Sequence, residues 1–338
     1  MKKNPLISVA IATYNGEKFL REQLDSIFNQ TYKNIEVIVC DDCSSDSTVS
    51  IFEEYKSNFG LKYYINEKNL GFVKNFEKAI SLCTGDFIAL SDQDDVWNAD
   101  KLEVLQKKIS NYDLIYSDAE IINENGDVIS TSMNKFINVE HYNIDQFGRL
   151  LLYSCYIYGC TMMFNSKLKD KILPFPIGLP YHDKWIALNA AENDTIKFES
   201  TSLMKYRLHG SNHSGVNDFS SSASKIKFYK NEELVYKKRS GIIDLIRISK
   251  NKFTGTKEKL ELEKAEKYHK IMLNSRDSIF FKIYRLFFLI IFALRNKYLL
   301  DPETNYFIYF LKLTMHFFLS NPVTRKVYFL IRGNVHEN

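Results

Sequence analysis

The first ninety residues alternate between short apolar runs and amphipathic segments, and no other feature of the chain constrains the fold as strongly. Apolar, β-branched runs are typical of strands buried on both faces, and the segments between them carry apolar residues at helical spacing. Short connections between such elements favour an α/β fold with a mostly parallel sheet covered by helices on both faces. The predicted strands are residues 6–12, 35–40, 61–65 and 86–90, and the predicted helices are 19–28, 46–58 and 72–82.

The pattern changes in the second part of the chain. We expect further strands at 113–118, 119–130, 160–164 and 202–207, with a turn at Asn125–Gly126, and helices at 144–153 and 181–192. A serine-rich stretch near residue 220 then marks a boundary to Lys-rich helical segments. Residues 1–224 carry a net charge of −8 and residues 225–338 a net charge of +12. This asymmetry predicts an acidic body and a basic region that meets an anionic partner, either phospholipid or nucleic acid.

Polar clusters follow three of the predicted strands. Residues 13–16 follow the first, Asp41 and Asp42 the second, and the segment SDQDDVW places Asp92, Asp94 and Asp95 after the fourth. Open α/β sheets bind ligands in the crevice beyond the carboxyl ends of their strands. Three neighbouring carboxylates repel one another unless a cation or solvent relieves them, and Mg²⁺ or Mn²⁺ on a diphosphate prefers such oxygen ligands. The alternative is a solvated helix start or helix cap, where acids are also favoured.

Other common sites find little support in the sequence. Cys40 and Cys43 form a C-x-x-C, but no second pair or nearby His completes a zinc site, so we expect reduced thiols. The chain lacks G-x-x-x-x-G-K-S/T and G-x-G-x-x-G, which argues against a P-loop and against a dinucleotide site.

Four segments together resemble glycosyltransferase family 2, the inverting enzymes with a GT-A fold. They are ISVAIATYNGEKFLREQLDSIFNQTY, IEVIVCDDCSSDST, NLGFVKNFEKAI and GDFIALSDQDDVWNADKL, and the resemblance covers about residues 6–215. It implies a Rossmann-like catalytic domain over 1–220, with a nucleotide-sugar half to about 118 and an acceptor half from 119, and a divalent metal, Mn²⁺ or Mg²⁺. Ala12 and Cys43 stand where the family usually has Pro and Gly.

The resemblance also implies roles for individual residues. Asp94 and Asp92 would hold the metal, and His209, in YRLHGSN, would complete its shell or bind phosphate. Asp183, in YHDKWIAL, would take the proton of the acceptor hydroxyl; its alternative role is a helix-start carboxylate favoured by the helix dipole. The residues expected to contact the nucleotide sugar are Thr13, Tyr14, Asn15, Glu17, Asp41, Asp42, Lys74, Asp92, Gln93 and Arg207.

The combination of SDQDDVW, HDKWIAL and YRLHGSN looks most like the rhamnosyltransferase-like branch of the family. That branch implies dTDP-L-rhamnose as the donor, with a UDP-hexose or UDP-N-acetylhexosamine as the alternative. Two other classes stay open. A nucleotidyltransferase would also use an acidic metal site on an α/β sheet, and a catalytically dead module would bind a sugar nucleotide without turnover.

The C-terminal region contains two aromatic, apolar segments, 278–300 and 305–319. Lys282 and Arg285 interrupt the first, so it predicts a helix lying in the membrane interface rather than spanning it; the alternative is a soluble helical hairpin or a dimer interface. Residues 225–300 hold 19 Lys and Arg against 8 Asp and Glu, which favours anionic lipid over nucleic acid, for which no motif is evident. The N-terminal sequence shows no signal peptide. We therefore expect a cytoplasmic enzyme, peripheral on the inner face of the cell membrane, with a saccharide acceptor carried on a polyprenyl diphosphate in bacterial surface polysaccharide synthesis.

Overall fold

The sheet of this protein has nine strands in a computed structural model that describes residues 4–137, 146–152, 157–210 and 232–273. The strands are β1 Ile7–Thr13, β2 Ile35–Asp41, β3 Lys62–Ile65, β4 Phe87–Ser91, β5 Val96–Trp97, β6 Leu114–Ile122, β7 Val128–Ser130, β8 Met162–Asn165 and β9 Ile196–Arg207. Their order in the sheet is β3-β2-β1-β4-β8-β6-β9-β5, and β7 pairs with β6.

Ten α-helices accompany these strands in the described ranges. They are α1 Leu20–Phe28, α2 Thr48–Phe59, α3 Phe72–Leu82, α4 Lys101–Ile109, α5 Met133–Ile137, α6 Gln146–Leu152, α7 Ser166–Ile172, α8 His182–Ala191, α9 Glu232–Lys250 and α10 Thr256–Leu273. Helical spacing explains how they pack: α1, for example, buries Leu20, Leu24 and Ile27 on one face. None of the helices in the described part of the chain is long and apolar enough to cross a membrane.

The chain divides into two compact units. One comprises residues 1–143 and 153–214, and the other comprises residues 144–152 and 215–338. Within the second unit, Phe147 of α6 meets Phe253 edge to face at 5.0 Å, and His269 of α10 donates to the Leu151 carbonyl at 2.9 Å. The helix predicted at 144–153 is therefore present, but it packs with the second unit. The boundary predicted near residue 220 and the segments 278–300 and 305–319 lie outside the described residues.

The first half of the sheet is parallel, as the alternating pattern predicts. Strand β1 pairs in parallel with β2 and β4, and β2 pairs in parallel with β3. Strand β1 is covered on both faces, since Val9 and Ile11 on one face and Ser8 and Ala10 on the other are all completely buried, which explains its nearly continuous apolar run. The predicted strands and helices of this half are all confirmed to within two residues at each end.

The prediction of a mostly parallel sheet is wrong for the second half. Strand β8 runs antiparallel to both β4 and β6, and β5 runs antiparallel to β9, while β6 and β9 are parallel. Met162, Met163 and Phe164 of β8 are completely buried. The sequence of β8 is therefore a continuous apolar run, like the sequence of a buried parallel strand. Periodicity identifies a buried strand, but it carries no information about strand direction.

Other differences concern the extent of elements. The two predicted strands at 113–118 and 119–130 form the hairpin β6–β7. In its turn Gly126 adopts a positive φ of 91°, and its N–H donates a hydrogen bond to the Asn123 carbonyl at 3.1 Å. Strand β9 begins at Ile196, six residues before the predicted start. The sequence pattern did not predict α4, α5, α7 or the two-residue strand β5.

Candidate active site

The loop after β1 is fixed to the loops after β2 and β4. The Thr13 hydroxyl donates to Asp41 Oδ1 at 2.8 Å. The side-chain amide of Gln93 accepts a hydrogen bond from the Tyr14 backbone N–H at 2.9 Å and donates one to the Tyr14 carbonyl at 3.1 Å. It thus pairs with both backbone groups of Tyr14. Three of the predicted nucleotide-binding segments thus meet at one edge of the sheet.

Asn15 and Glu17 hold the loop between β2 and α2. Asn15 has a left-handed backbone, with φ 48°, and its side-chain oxygen accepts from the Ser45 N–H at 2.8 Å. Glu17 Oε2 accepts from the Ser47 N–H at 2.8 Å. Beside them the Tyr14 side chain is half exposed. The structure places these residues in the loop after β1, and their contact with a nucleotide stays a prediction.

Asp42 fixes the segment that leads into α3. One carboxylate oxygen accepts from the Leu70 N–H at 2.7 Å and from the Asn66 amide at 2.8 Å, and the other accepts from the Gly71 N–H at 2.8 Å. Neighbouring Asp41 is completely buried and accepts from the N–H and the hydroxyl of Ser44. The described contacts of both carboxylates therefore organise loops, and their predicted contact with the nucleotide stays a prediction.

Lys74 lies on the exposed side of α3. Its ammonium pairs with Glu77 and lies 3.3 Å from the Phe175 carbonyl. A cavity of about 590 Å³ opens beside it. The lining residues are Leu70, Lys74, Glu77, Lys78, Ser81, Leu173 and Pro174. Lys74 thus lines a concave surface, and its contact with the nucleotide sugar stays a prediction.

Two predicted metal ligands meet in the structure although 115 positions separate them in the sequence. His209 Nε2 lies 2.7 Å from Asp94 Oδ2, and the imidazole packs 5.2 Å from the ring of Phe19, centroid to centroid. At this distance the two groups hydrogen-bond directly to each other, and both are of types that ordinarily bind Mn²⁺.

Asp92, Asp95 and Cys160 form a second group beside this pair. One potential ligand atom from each lies within 4.8 Å of the other two. Asp95 is almost completely buried; its Oδ1 accepts from the Arg207 N–H at 3.1 Å, and its Oδ2 has no hydrogen-bond partner. An orphaned buried carboxylate oxygen beside other acids fits a cation-binding region. Sequence reasoning gave Cys160 no place in the site, because it lies in the short turn before β8 and no sequence spacing links it to the acids.

The electrostatics of this region follow from burial and from like charge. Loss of solvent, and then the charge of Asp94, raises the pKa of Asp92 to about 7. Burial, and then Asp94 and Asp92, raises the pKa of Asp95 well above its usual value. Burial lowers the pKa of Lys101, which lies nearby, to about 7. In the absence of a cation, the site therefore holds some of its carboxyl groups protonated near neutral pH.

Arg207 is buried, with 2 % of its surface exposed. Its guanidinium donates to the carbonyls of Asp94 at 2.9 Å and Glu124 at 3.1 Å, and pairs with Glu22 at 2.6 Å. It also lies 4.7 Å from the centre of the Phe19 ring. In these contacts Arg207 supports the backbone of residues 92–95, a segment called the metal loop below because it carries the predicted metal ligands Asp92 and Asp94. The contact of Arg207 with the donor diphosphate stays a prediction.

Asp183 lies in the first turn of α8, as predicted. Its Oδ1 accepts from the Lys184 N–H at 2.7 Å. The negative charge of Asp183 contributes to the raised pKa of Asp92, so the two carboxylates belong to one electrostatic site. The preceding His182 is buried and stacks on Phe76 at 4.3 Å, and burial lowers its pKa, which keeps the imidazole neutral. Sequence reasoning gave His182 no role of its own.

Comparison with known proteins identifies one family. Residues 8–172 match the family model described as Glycosyl transferase family 2. An uncharacterized glycosyltransferase of Rickettsia prowazekii (strain Madrid E) is 33% identical over 218 residues, which are 62% of this chain and 67% of that protein. The glucosyltransferase WfgD of Escherichia coli, named UDP-Glc:alpha-D-GlcNAc-diphosphoundecaprenol beta-1,3-glucosyltransferase, is 31% identical over 210 residues, 60% of this chain and 77% of WfgD.

Solved structures share the fold. Mannosyltransferase PcManGT from Pyrobaculum calidifontis, in complex with GDP-Man and Mn²⁺, superposes with a TM-score of 0.58 at 15% identity over 94% of this chain and 86% of that one. The TarS 1–349 fragment from S. aureus, in complex with UDP-GlcNAc, gives a TM-score of 0.52 at 21% identity, over 79% of this chain and 83% of that one. The mixed sheet with flanking helices is therefore of the GT-A type.

The raised pKa of Asp92 predicts that metal affinity depends on pH. A carboxyl group must lose its proton to bind a cation, so the affinity for Mn²⁺ should rise as pH rises through about 7 and should fall about tenfold per pH unit below that. Isothermal titration with Mn²⁺ between about pH 6 and about pH 8 measures this. Asp92→Asn should bind more weakly and with a flatter pH profile, whereas a flat profile in the wild type would contradict the role of Asp92.

Proposed function

We propose a reaction for this chain, which belongs to glycosyl transferase family 2 and is a glycosyltransferase with a GT-A fold. It transfers the sugar of a nucleotide sugar to a saccharide hydroxyl, and the transfer inverts the configuration at the anomeric carbon. The observation that carries the proposal is the 2.7 Å contact between Asp94 and His209. It joins the loop after β4 to the segment that follows β9.

The residues around Asp94 fit a divalent cation. Asp94 and His209, which are in contact, would offer it one carboxylate and one imidazole, and Asp92 would add a second carboxylate from the neighbouring group of Asp92, Asp95 and Cys160. When bound, Mn²⁺ or Mg²⁺ supplies charge stabilisation for a leaving diphosphate. Arg207, which holds the Asp94 carbonyl, keeps the loop that carries Asp94 in place.

Asp183 is the proposed general base. The acceptor oxygen attacks the anomeric carbon as its proton passes to the Asp183 carboxylate. A bond forms between the acceptor oxygen and the anomeric carbon, and the bond between that carbon and the diphosphate oxygen breaks on the opposite face, which inverts the configuration.

The donor we propose is a pyrimidine nucleotide sugar. The three motifs shared with the rhamnosyltransferase-like branch support dTDP-L-rhamnose as the first candidate. The second candidate is a UDP-hexose or UDP-N-acetylhexosamine, which the name of the relative WfgD favours. The nucleotide would lie at the edge formed by Thr13, Tyr14 and Asp42, with Lys74 reaching it from α3.

Two other classes are less well supported. A nucleotidyltransferase would form a nucleotide sugar and release pyrophosphate, which the family does not favour. A dead binding module would have no use for the acidic set of Asp92, Asp94 and Asp183, all of which are present.

The acceptor we propose is a saccharide on a polyprenyl diphosphate. The name of WfgD includes a diphosphoundecaprenol acceptor, which supports this class. The net charge of +12 over residues 225–338 and the apolar segment 278–300 support a peripheral position at the cytoplasmic face of the membrane.

Replacing the proposed base tests the reaction. Asp183→Asn should lower the rate of transfer by about 10²-fold to 10⁴-fold, because a neutral amide cannot take the acceptor proton, while donor affinity stays within about threefold. Steady-state kinetics and donor titration measure the two quantities. Glu192→Gln, at the exposed C-terminal end of the same helix, is the matched control and should keep wild-type activity. Wild-type rates in Asp183→Asn would rule out the role.

Removing the C-terminal segment tests the membrane proposal. Deletion of residues 278–338 should abolish partition into vesicles that contain anionic lipid, because it removes the apolar segment together with its basic side chains. Vesicle sedimentation measures partition, and circular dichroism checks that the truncated protein is folded. Unchanged partition of the folded truncated protein would overturn the proposal.

A further inference from the structure

Lys101, the first residue of α4, is completely buried, and the reaction described above does not use it. Burying an ammonium group is costly unless other groups compensate for the lost water. Lys101 has such groups. Its Nζ donates to the Cys160 carbonyl at 2.6 Å, lies 3.4 Å from Met204 Sδ, and sits 3.8 Å from the centre of the Trp97 ring.

These contacts join two parts of the chain that are distant in sequence. Trp97 belongs to β5, which directly follows the acidic segment 92–95. Cys160 lies in the short 3₁₀ turn at 159–161 that leads into β8. A single ammonium therefore holds this turn to the end of the metal loop.

The other side of the same turn faces the proposed base. A Cβ atom built on Gly159 would lie 3.9 Å from Asp183 Cβ and 3.0 Å from His182 Nε2, so Gly159 packs directly on the start of α8. The adjacent Cys160 has its thiol within 4.8 Å of carboxylate oxygens of Asp92 and Asp95. The turn therefore lies between residues 92–95 on one side and the proposed base, Asp183, on the other.

We propose that Lys101 is a positioning residue for sugar transfer, which holds the 159–161 turn so that Asp183 keeps its place relative to Asp92 and Asp94. The proposal rests on the role of Asp183 proposed above. A displacement of a reacting group by about 1 Å can lower a rate by about 10²-fold, so the loss of this one contact has a measurable consequence.

The test compares Lys101→Met with Lys169→Met in the full-length chain. Methionine keeps the length and the apolar stem of lysine but loses the charge and the donor. Lys169 is the matched control, since its Nζ also donates to a backbone carbonyl, that of Cys83, at 2.5 Å. Cys83 precedes β4, whereas Asp92 follows it, so the control contact lies at the opposite end of the strand.

Two quantities are measured on each variant. Hydrogen exchange over residues 157–165 reports on the turn whether or not a substrate is known. In Lys101→Met it should be faster by about tenfold or more, and in Lys169→Met it should be unchanged. The kcat of Lys101→Met should fall by about tenfold or more while KM for the donor stays within about threefold, and Lys101→Arg should recover most of the kcat.

The outcomes separate this inference from the proposed function. Unchanged exchange in Lys101→Met, or a loss of kcat that Lys169→Met reproduces, overturns the positioning role. If Lys101→Met does not fold, Lys101→Gln, which keeps a shorter donor, is measured in its place against the same control, and unchanged exchange there likewise overturns the role. A wild-type protein inactive with every donor would count against the proposed function, while the exchange measurement would still decide whether Lys101 holds the turn.

Discussion

The parallel pairing of β1 with both β2 and β4 is the constraint on which the site depends. Its register sets Thr13 opposite Asp41 and Ile11 opposite Ser91, so three loops leave the sheet at the same edge. Hydrogen bonds from Thr13 and Gln93 then join these loops. The buried strands supply the stability, and their carboxyl ends supply a rigid platform on which the polar groups are held.

The main cost of this arrangement is the concentration of negative charge. Asp92, Asp94 and Asp95 lie together, and burial with mutual repulsion raises the pKa of two of them. The protein offsets part of this cost with the imidazole of His209 and the ammonium of Lys101, and a bound cation would offset more. The same excess of negative charge would favour a divalent cation at the site.

The sequence predicts the first half of the fold and less of the second, for a physical reason. Periodicity reports burial, and burial is the same for β8, which is antiparallel, as for the parallel strands. Asp94 and His209 were predicted as a pair through a family resemblance, whereas Lys101 and Cys160 carry no local pattern that identifies them. Lys101 begins α4 and Cys160 lies in a turn 59 positions further along the chain. Only the tertiary packing of these two elements brings the residues into contact.

Binding of nucleotide sugars tests the central claim most directly. Isothermal titration of the full-length protein with dTDP-L-rhamnose and with a panel of UDP- and GDP-sugars, with and without Mn²⁺, measures both donor choice and metal dependence. The account predicts Mn²⁺-dependent binding of a pyrimidine nucleotide sugar, with dTDP-L-rhamnose preferred. Preference for a UDP-sugar would retain the site and replace the donor. Binding of no nucleotide sugar by protein shown to be folded would contradict the account.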